Sequence, residues 1–376
     1  MLGVKALLGY VKTNPHDHVE YLARIEDLTG IALAAGYEPV GVIIQTMLKE
    51  NPSYVFGKGK VEEISDAIWK TGAEVFIIYN ILSSIQQLNL ERKLDVKVID
   101  RYDLTLEVFE KHASDKASKL QIELAKILKR FPYEKLKASI KYLRERPGPH
   151  SSGEYAYHRV VGQLRKRIKL LERTIEEERM KRMHQLLRRR ELGYPILVLA
   201  GYYNAGKTSL FNAITNLQKP VDNRPFTTLS SKYYLARRVG RRFFIVDTIG
   251  FAMGLDPRVI HSFRLTLDDI IYSDVVILTI DGSDSSRLFA LRLRSSLEIL
   301  EELGVSRDQI VIAINKTDII REEELEEKMQ IVKTFLDGKT PVIPVSAIRK
   351  LNLNMLIEEA LRVADALSKK TYATLP

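Results

Sequence analysis

The sequence predicts an α/β protein in three parts: an N-terminal parallel α/β domain, a long antiparallel helical linker, and a C-terminal domain with a Rossmann-like sheet. Three observations carry this expectation. Short β-rich runs alternate with helical patterns up to about residue 100. Strand signals then stop for about 90 residues while helical spacing persists. From Pro195 onward strand and helix alternate again. Such alternation gives a parallel sheet, because each parallel crossover needs a helix.

In the first part the candidate strands are Val4–Val11, Val40–Met47, Val75–Tyr79 and Val96–Ile99. Helical patterns fill His18–Ala35, Lys60–Thr71 and Ser84–Lys93, with Val61, Ile64 and Ile68 on one face. In the linker, Leu120, Leu124, Ile127 and Leu128 line a helix that Pro132 is expected to kink or end. Leu136, Ile140 and Leu143 carry a second helix to about Arg146. Pro147-Gly148-Pro149-His150-Ser151-Ser152-Gly153 reads as a loop. Val161, Leu164, Ile168, Leu171 and Ile175 then recur at spacings of 3 and 4, which suits a long helix against an antiparallel partner. That helix runs out in Arg188-Arg189-Arg190 and stops at Gly193, before Pro195. The expected boundaries are 1–104, 105–192 and 193–376.

The chain has 376 residues, of which 45% are hydrophobic, enough for sizeable cores and against wholesale disorder. It has no cysteine, which excludes a disulfide framework, a thiolate zinc site and a cysteine nucleophile. No apolar run approaches the roughly 18 residues of a membrane helix. Met1 to Val11 lacks the basic start and cleavage site of a signal peptide. A cytoplasmic monomer that meets neither membrane nor DNA is expected. The net charge of +10 is concentrated: residues 129–192 hold 19 Lys and Arg against 8 Asp and Glu. A polyanionic partner for this segment is one reading and a solvated charged helix is the other.

The chemistry lies after Pro195. Ile196–Ala200 runs into Gly201-Tyr202-Tyr203-Asn204-Ala205-Gly206-Lys207-Thr208, which fits G-x-x-x-x-G-K-[ST], followed by Ser209. Glycines let the backbone wrap phosphate oxygens, Lys207 is expected to reach the β- and γ-phosphates, and Thr208 to bind Mg²⁺. Phe243–Val246 is an apolar strand ending in Asp247-Thr248-Ile249-Gly250, a D-x-x-G motif. Asp247 can hold Mg²⁺ through water, and the Gly250 N–H can sense the γ-phosphate. Asn315-Lys316-Thr317-Asp318 follows the strand Ile310–Ile314. The Asp318 carboxylate can accept both N1–H and the exocyclic amine of guanine. Ser346-Ala347-Ile348 follows the run Pro341–Val345, where a backbone N–H can meet guanine O6. Four motifs in order, each at a strand's C-terminal end, read as a guanine-nucleotide site in a doubly wound sheet. GTP or GDP is the expected ligand and Mg²⁺ the cofactor. Between Lys219 and Ser231, Pro225-Phe226-Thr227-Thr228-Leu229-Ser230 offers two threonines for a further Mg²⁺ ligand. On residues alone, both are equally ordinary β-edge threonines.

These features together resemble the translation-factor-related GTPases of the Obg and HflX group, and HflX most closely. Outside the nucleotide motifs, Phe56-Gly57-Lys58-Gly59-Lys60-Val61-Glu62-Glu63-Ile64 is similar to a family signature, as is Lys119-Leu120-Gln121-Ile122-Glu123-Leu124-Ala125. Asp247–Phe251 followed by Phe263-Arg264-Leu265-Thr266-Leu267, and the basic segment before the C-terminal domain, fit as well. The resemblance implies a P-loop GTPase domain at the C-terminus, Thr228 as the second metal ligand, and binding to the large ribosomal subunit and its RNA in the GTP form. Members of the family can dissociate ribosomes, with the linker directed toward the peptidyl-transferase region. The linker loop Gly148–Tyr155 departs from the family's G-x-R-G-P-G-E-x-x-x-E stretch. On its residues alone, Gly57–Lys60 reads first as a helix cap, and a second nucleotide site is the alternative.

Many GTPases place a glutamine just after D-x-x-G to orient the attacking water. Here Phe251 stands there, so Lys207, Mg²⁺ and backbone donors such as Gly250 must carry the catalysis, and intrinsic turnover should be slow. Arg224, Arg237 and Arg264 are candidate cis arginines, with surface charge as the alternative reading; His150 and His158 read as solvated. Three functions fit: a ribosome-binding GTPase that splits or rescues ribosomes, a GTPase of ribosome assembly or RNA modification, and a GTP-dependent interaction protein with negligible turnover.

Overall fold

The computed structural model describes residues 3–17, 20–113, 115–144, 152–217, 232–248, 250–251, 264–336 and 338–373. The threonine-bearing segment Phe226–Ser230, Ile249, Arg224, Arg146, His150 and most of the linker loop lie outside them. The chain divides into two compact units, Met1–Arg179 and Met180–Pro376.

The first unit holds a four-stranded parallel sheet in the order β2-β1-β3-β4. The strands are β1 (Val4–Lys12), β2 (Tyr37–Thr46), β3 (Val75–Ile78) and β4 (Lys97–Asp100). The connecting helices are α1 (Glu20–Ala34), α2 (Lys58–Thr71) and α3 (Ser84–Leu94), and α4 (Arg101–His112) follows β4. Alternate residues of β1 face a common core. Leu7 and Val11 join Val61, Ile64 and Ile68 of α2 and Leu90 and Leu94 of α3. Gly9 leaves room for Phe76 and Phe56, since a Cβ there would lie 2.5 Å from the Phe76 ring. Helix α4 begins where β4 ends: Asp100 caps it, accepting the Asp103 N–H at 2.9 Å.

Helix α5 spans Lys116–Arg144 with Pro132 inside it, so of the two expected outcomes, a kink or an end, the helix does not end there. The physical reason is anchoring on both sides of the proline. Lys129 forms a buried ion pair with Asp100, and the Tyr133 hydroxyl donates to Glu91 at 2.5 Å. These contacts fix the chain on either side of the proline, so the helix continues across the backbone hydrogen bond that Pro132 removes. Helix α6 spans Ser152–Glu191, and the pairs Lys116–Glu178 and Arg167–Glu123 run antiparallel between α5 and α6, as the hairpin expectation requires. The Gly57–Lys60 motif caps α2: Gly57 is the N-cap, its N–H donates to Gln45 Oε1 at 2.9 Å, and Lys60 pairs with Glu63 within the helix.

The second unit holds a six-stranded sheet in the order β10-β9-β8-β5-β7-β6, parallel except for β6. Its strands are β5 (Ile196–Gly201), β6 (Lys232–Arg238), β7 (Arg241–Asp247), β8 (Val275–Asp281), β9 (Ile310–Asn315) and β10 (Val342–Pro344). Its helices are α7 (Lys207–Thr215), α8 (Arg264–Ile271), α9 (Ser286–Glu302), α10 (Glu322–Phe335) and α11 (Leu353–Ala373). β5, β8 and β9 are buried along their whole length, which is why they read as continuous apolar runs. Chain order reverses at β5, whose neighbours are β7 on one side and β8 on the other. Crevices at such points open at the carboxyl ends of the strands. Among the described residues no helix is long and apolar enough to cross a membrane.

Candidate functional site

The carboxyl ends of β5, β7 and β9, with the segment after β10, bring the sequence motifs to one edge of the sheet. Gly206 opens α7 with φ +87, and a Cβ there would lie 2.2 Å from Asn315 Nδ2. A glycine is therefore required both by the turn and by the close approach of Asn315. Asn315 in turn donates to the Ala205 carbonyl at 2.9 Å and accepts the Ala347 N–H at 3.0 Å. One side chain thus joins the phosphate loop to the segment after β10.

Lys207 is buried, and its Nζ donates to the carbonyls of Gly201 (3.0 Å) and Tyr202 (2.7 Å). Burial lowers its pKa to about 8, against the opposing pull of Asp247. Thr208 Oγ1 donates to Asp247 Oδ2 at 3.2 Å. A hydroxyl and a carboxylate side by side, beside a phosphate loop, form a hard oxygen donor set. It fits an ion such as Mg²⁺, which takes few protein ligands and completes its shell with phosphate and water. Ser209 lies in α7, one residue beyond Thr208. Thr248 turns away from this cluster: its buried hydroxyl donates to the Leu199 carbonyl at 2.8 Å. Asn204 sits exposed at φ 59.

Gly250 lies directly over the phosphate loop. A Cβ there would be 3.0 Å from Tyr203 Cα and 3.1 Å from Lys207 Nζ, so any larger residue displaces one of them. Phe251 is 1% exposed. Its N–H donates to the Gly201 carbonyl at 2.9 Å and its carbonyl accepts the Tyr203 N–H at 2.8 Å, a short bridge to the end of β5. Phe251, the described residue that follows Gly250, carries no side-chain donor or acceptor to orient a water.

At the base end, Asp318 Oδ1 accepts from Ser346 Oγ at 2.6 Å, and Ser346 Oγ also accepts the Arg349 N–H at 3.0 Å. Lys316 Nζ donates to Asp281 Oδ2 at 2.5 Å. Thr317 Oγ1 donates to the Val345 carbonyl at 2.9 Å, and Ile348 is exposed. Of the candidate arginines, Arg237 is exposed on the edge strand β6. Asp281, Asp284 and Arg292 stand in the same neighbourhood without belonging to any of the motifs. The only signal for them in the sequence is a pair of acids just past an apolar strand. Arg292 Nη1 donates to both carboxylate oxygens of Asp284 at 2.8 Å, and burial raises the Asp284 pKa to about 6 despite that arginine.

Comparison with known proteins follows the same division. Residues 23–110 match a family described as "GTP-binding GTPase N-terminal", and residues 196–316 match one described as "50S ribosome-binding GTPase". A GTPase HflX of Thermofilum pendens is 33% identical over 357 residues, covering 94% of this chain and 82% of the relative. A GTPase HflX of Saccharolobus solfataricus is 35% identical over 297 residues, covering 78% of this chain and 83% of the relative. Among solved structures, that of SsGBP in complex with GDP is similar with a TM-score of 0.52 and 26% identity. It covers 97% of this chain and 99% of that one.

Proposed function

The chain belongs to the HflX family of GTPases, and from that premise we propose that it is a slow GTP-hydrolysing switch acting on the large ribosomal subunit. The observation that supports this best is the cluster of Lys207, Thr208, Asp247 and Gly250, joined through Asn315 to the base-side segment. In this reading Lys207 and the N–H groups of residues 204–208 hold the phosphates. Asp318, oriented by Ser346, accepts the two donors of guanine. Thr208 and Asp247, with Thr228 outside the described residues, would hold Mg²⁺, which supplies charge neutralisation at the phosphates. Gly250 presents its N–H to the γ-phosphate side, and Lys207 stabilises charge that develops there.

Phe251 underlies the slow rate. Its ring is buried and its peptide groups are engaged by Gly201 and Tyr203, so it does not supply what a glutamine would. Turnover should rise when the ribosomal partner orders the site. The basic segment at 129–192 supplies the contact to RNA, where phosphate contacts give affinity and loops reach bases. The division at 1–104, 105–192 and 193–376 is kept as a functional one, and the chain is taken to act as a cytoplasmic monomer.

Turnover with and without purified large ribosomal subunits is the test. Stimulation by the subunit supports the switch; unchanged turnover favours another RNA task, and none under either condition favours a GTP-dependent interaction protein. Replacing Arg144, Arg146 and Arg159 by alanine should flatten the log-affinity against log-salt slope for ribosomal particles by roughly 2–3 units. Binding equal to the unmutated chain at every salt concentration would mark the segment as a solvated spacer.

A further inference from the structure

Phosphate binding by a loop of this kind uses backbone N–H groups, so the side chains at its second and third positions are left for other contacts. This chain places Tyr202 and Tyr203 there. Tyr202 is 2% exposed, and the two ring centroids stand 4.9 Å apart at 37°. Such a pair needs something to hold it. Arg292 of α9 lies over both rings, 4.7 Å from the Tyr202 centroid and 5.9 Å from that of Tyr203. Its guanidinium is oriented by Asp284, and the pair is nearly dry, with side-chain exposures of 12% and 10%. A dry ion pair is a poor source of stability, because desolvating both charges offsets their attraction. The placement of this one points to a different role.

The tyrosines are tied to the reacting end of the site. The Tyr203 N–H donates to the Phe251 carbonyl, the Tyr202 carbonyl accepts from Lys207, and the Tyr203 Cα faces Gly250. A shift of Tyr203 by a few tenths of an ångström would carry Gly250 with it. Since Phe251 offers no side-chain hydrogen bond, the placement of the Gly250 peptide carries more of the catalytic geometry. The geometry points to Arg292, oriented by Asp284, as a positioning residue that fixes the Tyr202–Tyr203 stack and through it the peptide of Gly250. This rests on the GTP reading of the site. It adds a residue of α9 whose side chain meets Asp284 and the two tyrosines.

The prediction separates the γ-phosphate side from the rest. On the proposed reading GDP is held by Lys207 and the later N–H groups of the loop, whereas Arg292 stacks on Tyr202 and Tyr203 ahead of them. In the full chain, Arg292→Gln should lower single-turnover GTP hydrolysis about tenfold, the scale of a desolvated cation–π contact. GDP affinity should stay within about threefold of the unmutated chain, by the same argument from placement. Arg292→Lys, which keeps the charge and loses the flat face, should recover only part of the rate. Because Arg292 acts through Tyr203, adding Tyr203→Ala to Arg292→Gln should cause no further loss beyond the larger single effect. Hydrolysis unchanged in Arg292→Gln would overturn the inference. So would a parallel fall in GDP affinity, which marks a merely structural role, or independent losses that multiply in the double variant. Failure of the unmutated chain to bind GDP would instead overturn the GTP reading itself, and is read separately.

Discussion

The two sheets share an architecture and differ in what they do with the carboxyl ends of their strands. Both are parallel where they matter, and both reverse chain order at an inner strand: at β1, between β2 and β3, and at β5, between β7 and β8. In the first sheet polar side chains at the strand ends are engaged by the protein's own groups. Asn80, just beyond β3, accepts the Val11 N–H at 2.8 Å and donates to the Val11 carbonyl at 2.9 Å and to Glu50 at 2.7 Å. Asp100, at the end of β4, accepts the Leu82 N–H and the Asp103 N–H, each at 2.9 Å, and pairs with Lys129. In the second sheet a glycine loop and a lysine occupy the equivalent place, and polar groups from β7 and β9 converge beside them. The same fold carries a closed end and a receptive one, so function follows the residues at the strand ends and not the topology.

The largest test of this contrast is Lys207→Ala. It should weaken GTP and GDP binding by two to three orders of magnitude, since a charge-assisted contact to phosphate is lost in a buried site. Titration with a fluorescent GDP reads it; affinity within threefold would break the comparison. Next, Asp318→Asn should cost on the order of 2–4 kcal/mol in GTP binding and admit xanthine nucleotides. Equal affinity of the unmutated chain for ATP and GTP would remove the ground for that role.

Asn80→Ala sharpens the contrast from the other side. It should destabilise the first unit by about 1–3 kcal/mol, because backbone groups of Val11 lose their partner. GTP affinity should stay the same. A loss of GTP affinity without a loss of stability would mean that the first crevice takes part in nucleotide binding.

The smallest effect is one that only pH reveals. Burial, with the neighbouring Asp100 carboxylate, pushes the Asp103 pKa up to about 7 against Lys129 and Arg130. The folded chain then binds more protons than the unfolded chain between the ordinary carboxylate pKa and about 7. Stability therefore falls as pH rises through that window. Asp103→Asn fixes a neutral group, so its advantage in denaturant unfolding should be near zero at about pH 4 and grow as pH rises to about 7. An equal advantage at both pH values would assign the effect to packing.

The sequence made the receptive end legible because its chemistry is local. β5, β7 and β9 are apolar runs, each closed by the residues that act, and α2 and α3 announce themselves by spacing and caps. The elements that escaped depend on partners far along the chain. β6 reads Lys-Tyr-Tyr-Leu-Ala-Arg-Arg with only Ala236 buried, and it is a strand because β7 pairs with it, antiparallel, from Lys232 to Arg238. Helix α4 buries Leu104, Leu106, Val108 and Phe109 on more than one face, which blurs its period. Pro132 carried a true local signal that the contacts of Lys129 and Tyr133 overrode. Asp284 and Arg292 bear no motif, and their meaning depends on the tyrosines that a fold 90 residues away brings under them. Thr248 shows the converse: it sits inside a motif, yet its hydroxyl serves β5.

Asn315 has a consequence for how defects in this protein will be sorted. It stands in the motif proposed to select the base, but its amide grips the Ala205 carbonyl and the Ala347 N–H. A variant there would present as a loss of discrimination between purines, while the injury would extend to the cradle of the phosphates. Guanosine alone and pyrophosphate alone should accordingly not behave as independent tenants. Each organises the keystone that the other needs, and a screen that files substitutions by base preference would place this one in the wrong drawer.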